Sequence, residues 1–320
     1  MRVVEDAVCS LLTVGNETRQ VLSGDHDSGE TASLDQVAAW LREMPETTAM
    51  RPPAFHVVIE TPHGPVEGWL ESLHDAEGLV VYFSGLGMYG DGPLAEDFSL
   101  AASHQGMASF RVERDADARP YVLDPVLEAQ RAVEAATLIS TALNLPSRRV
   151  YEGVSMGGWE ALLAARIDRE AAAVVRDPVL APMAVAAHFD RPGPDPVDQL
   201  VAQFFRRMAV ERHGEDVRTP FRVFMERVRQ GHTDPEADAP ERWLCELPLE
   251  ERERFGIHLS RADPALGKEN RAGLAACDFP VTLSTRSGHI PLACELDAPT
   301  HMLAEGLQRL PDTELADGTP

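Results

Sequence analysis

The sequence predicts an α/β fold: a mostly parallel, doubly wound sheet with helices on both faces and a helical insertion late in the chain. Three observations predict it. Short β-branched or apolar runs alternate with helical stretches from Phe55 to Arg176, and that pace implies crossover helices between parallel strands. Leu79–Phe83 and Ala171–Arg176 are apolar almost throughout, as in strands covered on both faces. The alternation then stops after Asp177-Pro178 and resumes at Phe255, leaving residues 180–250 with a helical pattern.

Residues 1–50 precede the sheet. Val4, Val8, Leu11 and Leu12 recur at helical spacing, and Ser33 is placed to cap a helix through Val37, Ala38, Trp40 and Leu41. This extension shows no chemistry of its own, and it has three readings: padding of the core, part of a lid, or the contact of a homodimer. Phe55–Glu60 and Val66–Leu70 flank Thr61-Pro62-His63-Gly64 and form a hairpin. Leu79–Phe83 follows Gly78 and runs into Ser84-Gly85-Leu86-Gly87, with Gly90-Asp91-Gly92 just beyond. A helix over about 94–104, a strand over 107–112 and a long helix over 125–144 come next.

After the strand 171–176, Asp190–Pro196 is a loop. One insertion helix carries Val197, Leu200, Val201, Phe204, Phe205 and Met208 on a stripe. A second opens at Thr219-Pro220, carries Phe221, Phe224, Met225 and Val228 on one face, and closes at Gly231. An acidic linker over 234–240 leads to Trp243. Phe255–Ser260 is a strand, 268–277 a helix, Phe279–Thr285 the last strand, and 299–310 the terminal helix. The organisation expected is an extension over 1–50, a core over 51–179 and 251–320, and a helical lid or cap over 180–250.

A chain of 320 residues, 44% hydrophobic, can bury a sizeable core. Its net charge of −23 argues against nucleic acid, which needs a basic face, and disfavours anionic membranes. No apolar run is long enough to span a bilayer, and the N-terminus lacks the marks of an export signal. Cys9, Cys245, Cys277 and Cys294 are scattered with no CxxC spacing, so reduced buried thiols in a soluble cytoplasmic protein are expected. Metal and cofactor readings fail on spacing, with no HExxH, no Walker pattern and no GxGxxG opening a first βαβ unit. No metal and no cofactor is expected.

The stretch that organises the chemistry is Val150-Tyr151-Glu152-Gly153-Val154-Ser155-Met156-Gly157-Gly158. A strand ends in Gly-x-Ser-x-Gly and a helix from Trp159 to Ile167 follows. Gly153 and Gly157 lack a Cβ, so strand and helix can close tightly around a strained turn with Ser155 at its apex. The helix beginning at Met156 aims unpaired N–H groups at charge developing nearby.

This stretch resembles the nucleophile elbow of the α/β-hydrolase superfamily, and the resemblance covers about residues 51–320. It implies a serine nucleophile, a histidine base and a carboxylate in the chain order Ser155, Asp263, His289. Asp263 follows a strand in Ser260-Arg261-Ala262-Asp263-Pro264. His289 follows the next in Gly288-His289-Ile290-Pro291, with Glu295 and Pro299 beyond, as in many members. Asp177 occupies an equivalent post one strand earlier and is the alternative acid; His258 and His301 are weaker substitutes for His289. The oxyanion hole implied has Met156 N–H as one donor and Leu86 N–H as the other, Gly87 being close behind. Ser84-Gly85-Leu86-Gly87 stands where many relatives carry His-Gly.

Glu152 departs from the pattern, because the residue before the elbow glycine is normally apolar. An ion pair with Arg148, Arg149 or Arg176 is expected for it, against a role near the serine. The stripe Phe204, Phe205, Met208, Phe221, Phe224 and Met225 is read first as packing against the body and second as lining for the acyl pocket. Arg206, Arg207, Arg212, Arg222, Arg227 and Arg229 are read as a solvated face, with recognition of a substrate carboxylate or phosphate as the lesser reading. The resemblance thus implies an esterase or thioesterase-like enzyme acting on a small-molecule acyl substrate. Its rivals are an acyltransferase or cyclase, a C–C bond hydrolase, and a non-catalytic small-molecule binder.

Overall fold

The computed structural model describes residues 31–43, 54–73, 75–85, 88, 90, 92–113, 124–190, 199, 203, 218–232, 239–263, 265–284, 289 and 298–311. Within them one eight-stranded sheet runs in the order β1-β2-β4-β3-β5-β6-β7-β8. Its strands are β1 Phe55–Thr61, β2 Gly64–Glu71, β3 Leu79–Phe83, β4 Ala108–Val112, β5 Arg149–Val154, β6 Ala172–Arg176, β7 Phe255–Leu259 and β8 Thr282–Leu283. β1 and β2 form an antiparallel hairpin and β2 pairs antiparallel with β4. Every pair from β4 through β3, β5, β6 and β7 to β8 is parallel.

The described helices are α1 Leu34–Glu43, α2 Pro93–His104, α3 Pro125–Ala142, α4 Met156–Ile167, α5 Pro182–Asp190, α6 Arg218–Arg229, α7 Pro240–Glu246, α8 Leu249–Arg252, α9 Ala272–Ala276 and α10 Ala298–Gln308, with a 3-10 turn Lys268–Arg271 leading into α9. α1 begins in a capping box: Gln36 N–H donates to Ser33 Oγ (3.2 Å) while Ser33 N–H donates to Gln36 Oε1 (2.7 Å). Val37 and Leu41 of α1 enter the main core, so this part of the extension pads the sheet.

That main core lies between the sheet and α3 and α4, where Ala129, Ala132, Ala135, Ala136 and Ile139 meet Trp159, Leu162 and Leu163. Small alanines along α3 let the two helices come close over the central strands. On the other face α2 and α10 cover Tyr82, Val150, Val154 and Val174 through Leu94, Phe98, Met302 and Leu303. β5 is thus enclosed on both sides, which fixes the direction in which its last residue, Val154, hands the chain to Ser155.

α6 sits between β6 and β7 in sequence and is tied to the core. Phe224 is fully buried and meets Trp159 edge to face at 5.8 Å. Arg227 Nη2 donates to Asp124 Oδ2 at 2.8 Å, while Asp124 Oδ1 accepts Leu127 N–H as the N-cap of α3.

Four expectations differ from the structure. The last strand is confined to Thr282–Leu283 among the described residues, because only His258 and Leu259 of β7 face it in register. The helix over 268–277 opens as a tighter 3-10 turn before becoming α-helical. Cys245 and Cys277 are joined in a disulfide rather than kept as reduced thiols. The packing of α7 against α9 brings together two residues 32 apart, a proximity that spacing in the sequence cannot reveal. Glu152 makes no ion pair: Arg148 pairs with Glu77, Arg149 with Asp168 and Arg176 with Asp177. Both Glu152 carboxyl oxygens are buried without a hydrogen-bond partner. The expected helix through Val4–Leu12, the side chains of Phe204, Phe205, Met208 and Phe221, and Arg206, Arg207 and Arg212 lie outside the described residues, as do Cys9 and Cys294.

Candidate active site

Ser155 stands at the carboxyl end of β5 with φ 55° and ψ −119°, between the last strand residue and the first residue of α4. That conformation is disfavoured for a residue with a Cβ and is held by its surroundings. Ser155 N–H donates to Arg176 O (3.0 Å), and Val179 N–H donates to Ser155 O (3.0 Å). The glycines make the turn compact. A Cβ on Gly153 would lie 2.3 Å from Gly157 O, and one on Gly157 would lie 2.1 Å from Phe83 O, so neither position admits a side chain. The first N–H groups of α4, that of Met156 included, have no acceptor within the helix.

His289 Nε2 lies 3.0 Å from Ser155 Oγ, and its Nδ1 lies 2.9 Å from Asp263 Oδ2. Three residues separated by up to 134 positions thus form one hydrogen-bonded chain across the carboxyl ends of β5, β7 and β8. Asp263 is itself fixed. Its Oδ1 accepts the N–H groups of Ala265 (2.9 Å) and Leu266 (3.0 Å), and Gly267 N–H donates to its main-chain oxygen (3.0 Å). With Oδ1 occupied by the turn, Oδ2 is left for the imidazole.

His289 is 2% exposed. Burial works against its charged form, but the charge and hydrogen bond of Asp263, with the charge of Asp177, outweigh burial and raise its pKa above the ordinary value. A neutral imidazole bonded in this way holds its Nδ1 proton toward Asp263 and offers Nε2 as acceptor to the serine hydroxyl. The serine proton therefore has a base in contact with it, and that base is oriented by a carboxylate.

Asp177, the alternative acid, is buried just past β6 but bonded elsewhere. It accepts Ser260 N–H (2.6 Å) and Ser260 Oγ–H (2.7 Å), and Arg176 Nε donates to it at 3.3 Å. Burial raises its pKa, opposed by Arg176, while Asp263 adds to the rise. His258 bonds Glu305 through Nε2 (2.8 Å) on the far side of the sheet, and His301 is exposed on α10. Neither stands in for His289.

Several contributors escaped the sequence reading. Asn270 Oδ1 accepts Leu180 N–H (2.8 Å) and Ala181 N–H (3.1 Å), and its Nδ2 donates to Pro178 O (2.9 Å), pinning the segment after Asp177. Arg271 donates to Ser260 O and Arg261 O, both at 2.9 Å, at the entry to the Asp263 turn. Nothing in the local pattern marks either residue. Glu71 and Arg111, paired at 2.6 Å and each 1% exposed, were legible as charged residues inside apolar strands. Leu86 and Gly87, expected at the second oxyanion donor, lie outside the described residues. Of the stripe expected along the insertion, Phe224 is spent on Trp159 and Met225 is half-buried against the main core.

No family model matches the chain, and neither does any curated protein. Solved structures do. DcsB in complex with a substrate analogue superposes with a TM-score of 0.55 at 15% identity, over 81% of this chain and 99% of that one. A thermophilic esterase from Thermogutta terrifontis gives 0.51 at 18% identity over 80% and 99%. Carboxyl esterase 2 from the mycorrhizal fungus Tuber melanosporum gives 0.52 at 16% identity over 86% and 97%. An α/β hydrolase from Penicillium gives 0.50 at 14% identity over 81% and 99%.

The chain has the α/β-hydrolase fold. In that fold the carboxyl ends of the central strands form the ligand-facing edge of the sheet, and Ser155, Asp263 and His289 stand on that edge here. Among the described residues no group of three His, Cys, Asp or Glu side chains is arranged to hold a metal ion. Among the same residues no helix is long and apolar enough to cross a membrane.

Proposed function

We propose that this chain is a serine hydrolase that cleaves an ester, thioester or related acyl bond of a small molecule through an acyl-enzyme. The observation that carries the reading is the continuous hydrogen-bonded chain from Ser155 Oγ through His289 to Asp263 Oδ2, with separations of 3.0 and 2.9 Å. An isolated serine hydroxyl is a weak nucleophile near neutral pH, and a contacting base with an oriented ring is what activates it.

Ser155 Oγ attacks the acyl carbonyl as His289 Nε2 takes its proton. The carbonyl oxygen becomes an oxyanion held by Met156 N–H and a second main-chain donor from the segment after β3, assigned to Leu86. Asp263 keeps the imidazole oriented and stabilises the imidazolium without taking its proton. The protonated His289 then donates to the leaving alcohol or thiol, and the acyl group stays on Ser155. Water enters, gives its proton to His289, and attacks the acyl carbonyl. Collapse returns the proton to Ser155 and frees the acid.

The test is a panel of p-nitrophenyl esters and acyl thioesters of graded chain length, run with the natural protein and with Ser155→Ala. Turnover of at least one member is expected, falling to the background rate in the variant while its circular dichroism is unchanged. Wild-type-like turnover in Ser155→Ala would overturn the assignment.

A further inference from the structure

Gly85, which follows β3, lies against the serine, and Gly90 is gripped by side chains from the end of a different strand. Gly85 opens a turn closed by Met88 N–H donating to Gly85 O (3.0 Å). A Cβ on Gly85 would lie 3.4 Å from Ser155 Cβ and 3.5 Å from Val154 O, so Gly85 packs beside the nucleophile. Met88 is buried among Tyr82, Leu94 and Phe98. Just beyond, Gly90 is held from both sides of its main chain. Its N–H donates to Glu113 Oε2 (2.8 Å), and its C=O accepts from Arg111 Nη1 (2.9 Å). Arg111 Nη2 in turn donates to Glu71 Oε1 (2.6 Å), with both residues 1% exposed.

We propose that Arg111, Glu71 and Glu113 form a clamp on Gly90 that, through Met88 and its hydrogen bond to Gly85, sets the main chain at Gly85 beside Ser155, and that they are positioning residues for the reaction at that serine. The inference rests on the serine-hydrolase reading for its kinetic consequence and on geometry alone for the clamp. Three features argue for it. First, the clamp joins Gly90 to β2 and to the end of β4, so Gly90 cannot shift without breaking charged hydrogen bonds. Second, Gly90 is shaped to the clamp. A Cβ there would lie 3.0 Å from Glu113 Oε2 and 3.1 Å from Arg111 O, closer than a side chain fits without moving them. Third, a buried Arg–Glu pair is weak as a source of stability, since apolar groups of like volume often serve as well or better. What the pair supplies that apolar groups do not is a directed donor to one carbonyl oxygen. Misplacing a reacting group by about 1 Å can cost roughly a hundredfold in rate.

The experiment compares Glu113→Ala, Glu113→Gln and the double variant Arg111→Met/Glu71→Leu with the natural protein. It reads kcat and KM on the best ester of the panel, melting temperature, and amide hydrogen exchange of the peptide spanning 84–92. Glu113→Ala should raise exchange in that peptide and lower kcat by about ten- to a hundredfold with KM and melting temperature held. Glu113→Gln, whose amide oxygen can still accept from Gly90, should recover most of the loss. The double variant should melt no lower than the natural protein and still lose kcat. Unchanged exchange at 84–92 in Glu113→Ala overturns the clamp. Raised exchange with wild-type kcat, or kcat loss that follows melting temperature, overturns its positioning role. Should Ser155→Ala prove as active as the natural protein, the serine reading falls, and the exchange readout still decides the clamp.

Discussion

One imidazole and the charges of the two aspartates near it set how the site answers to pH. His289 needs its neutral form to accept the serine proton, and its pKa lies above the ordinary value because Asp263 and then Asp177 outweigh the effect of burial. kcat/KM should therefore rise with pH along a limb placed above the usual histidine range. Asp177→Asn removes one of the charges that favour the imidazolium, so the limb should move to lower pH in the variant. A pH profile of kcat/KM checks this, and an unmoved or raised limb would contradict it. Glu152 is the opposite kind of group: enclosed between Tyr82 and Val174 on its neighbouring strands, without a hydrogen bond, and pushed well above the usual carboxylate range by burial alone. The folded chain keeps it protonated while the unfolded chain releases the proton above the ordinary glutamate pKa. The stability of the neutral form is full below that value and is lost as pH rises toward the folded pKa, with a slope of about 1.4 kcal/mol per pH unit. Glu152→Gln should flatten the fall in unfolding free energy from pH 5 to 8, as measured by urea titration at each pH; an unchanged slope would contradict this.

The elements were legible where a local pattern sufficed. The hairpin was readable from Thr61-Pro62-His63-Gly64, the α1 cap from Ser33, and the elbow from glycines whose Cβ atoms would strike the neighbouring backbone. The partners that secure those elements were not legible, because they are contacts between distant segments. Asn270 reaching back to Pro178, Leu180 and Ala181 leaves no trace in periodicity, and neither does the Cys245–Cys277 link. Glu152 was visible as an anomaly, but its lack of a partner depends on which way three nearby arginines turn. α6 shows the same limit: its apolar stripe was plain, while the surface it covers was not. Phe224 packs on Trp159, which lies in the helix that begins just after the serine. Phe224→Ala should cost about 3–5 kcal/mol of unfolding free energy, as for a large buried aromatic. Chemical denaturation measures it, and a loss below about 1 kcal/mol would place Phe224 outside the core.

Across the whole molecule, the fold's contribution is convergence. The strand order places β5, β6 and β7 side by side, so Ser155, Asp177 and the Asp263 turn emerge on one edge of the sheet. His289 enters just past β8 and meets the other two there. The resemblance to the α/β-hydrolase elbow is what singled out these three residues; spacing alone left Asp177, His258 and His301 open as well. Leu86 and Gly87, and the side chains of Phe204, Phe205, Met208 and Phe221, lie outside the described residues. The net charge of −23 over 320 residues bears on solubility and association, not on the fold.

The most direct test treats the protein with a fluorophosphonate and maps the adduct by peptide mass spectrometry, in the natural protein and in His289→Ala. Labelling confined to Ser155 and lost in the variant is the predicted result. An unlabelled Ser155 in the natural protein, or labelling that persists undiminished without the imidazole, would contradict the account.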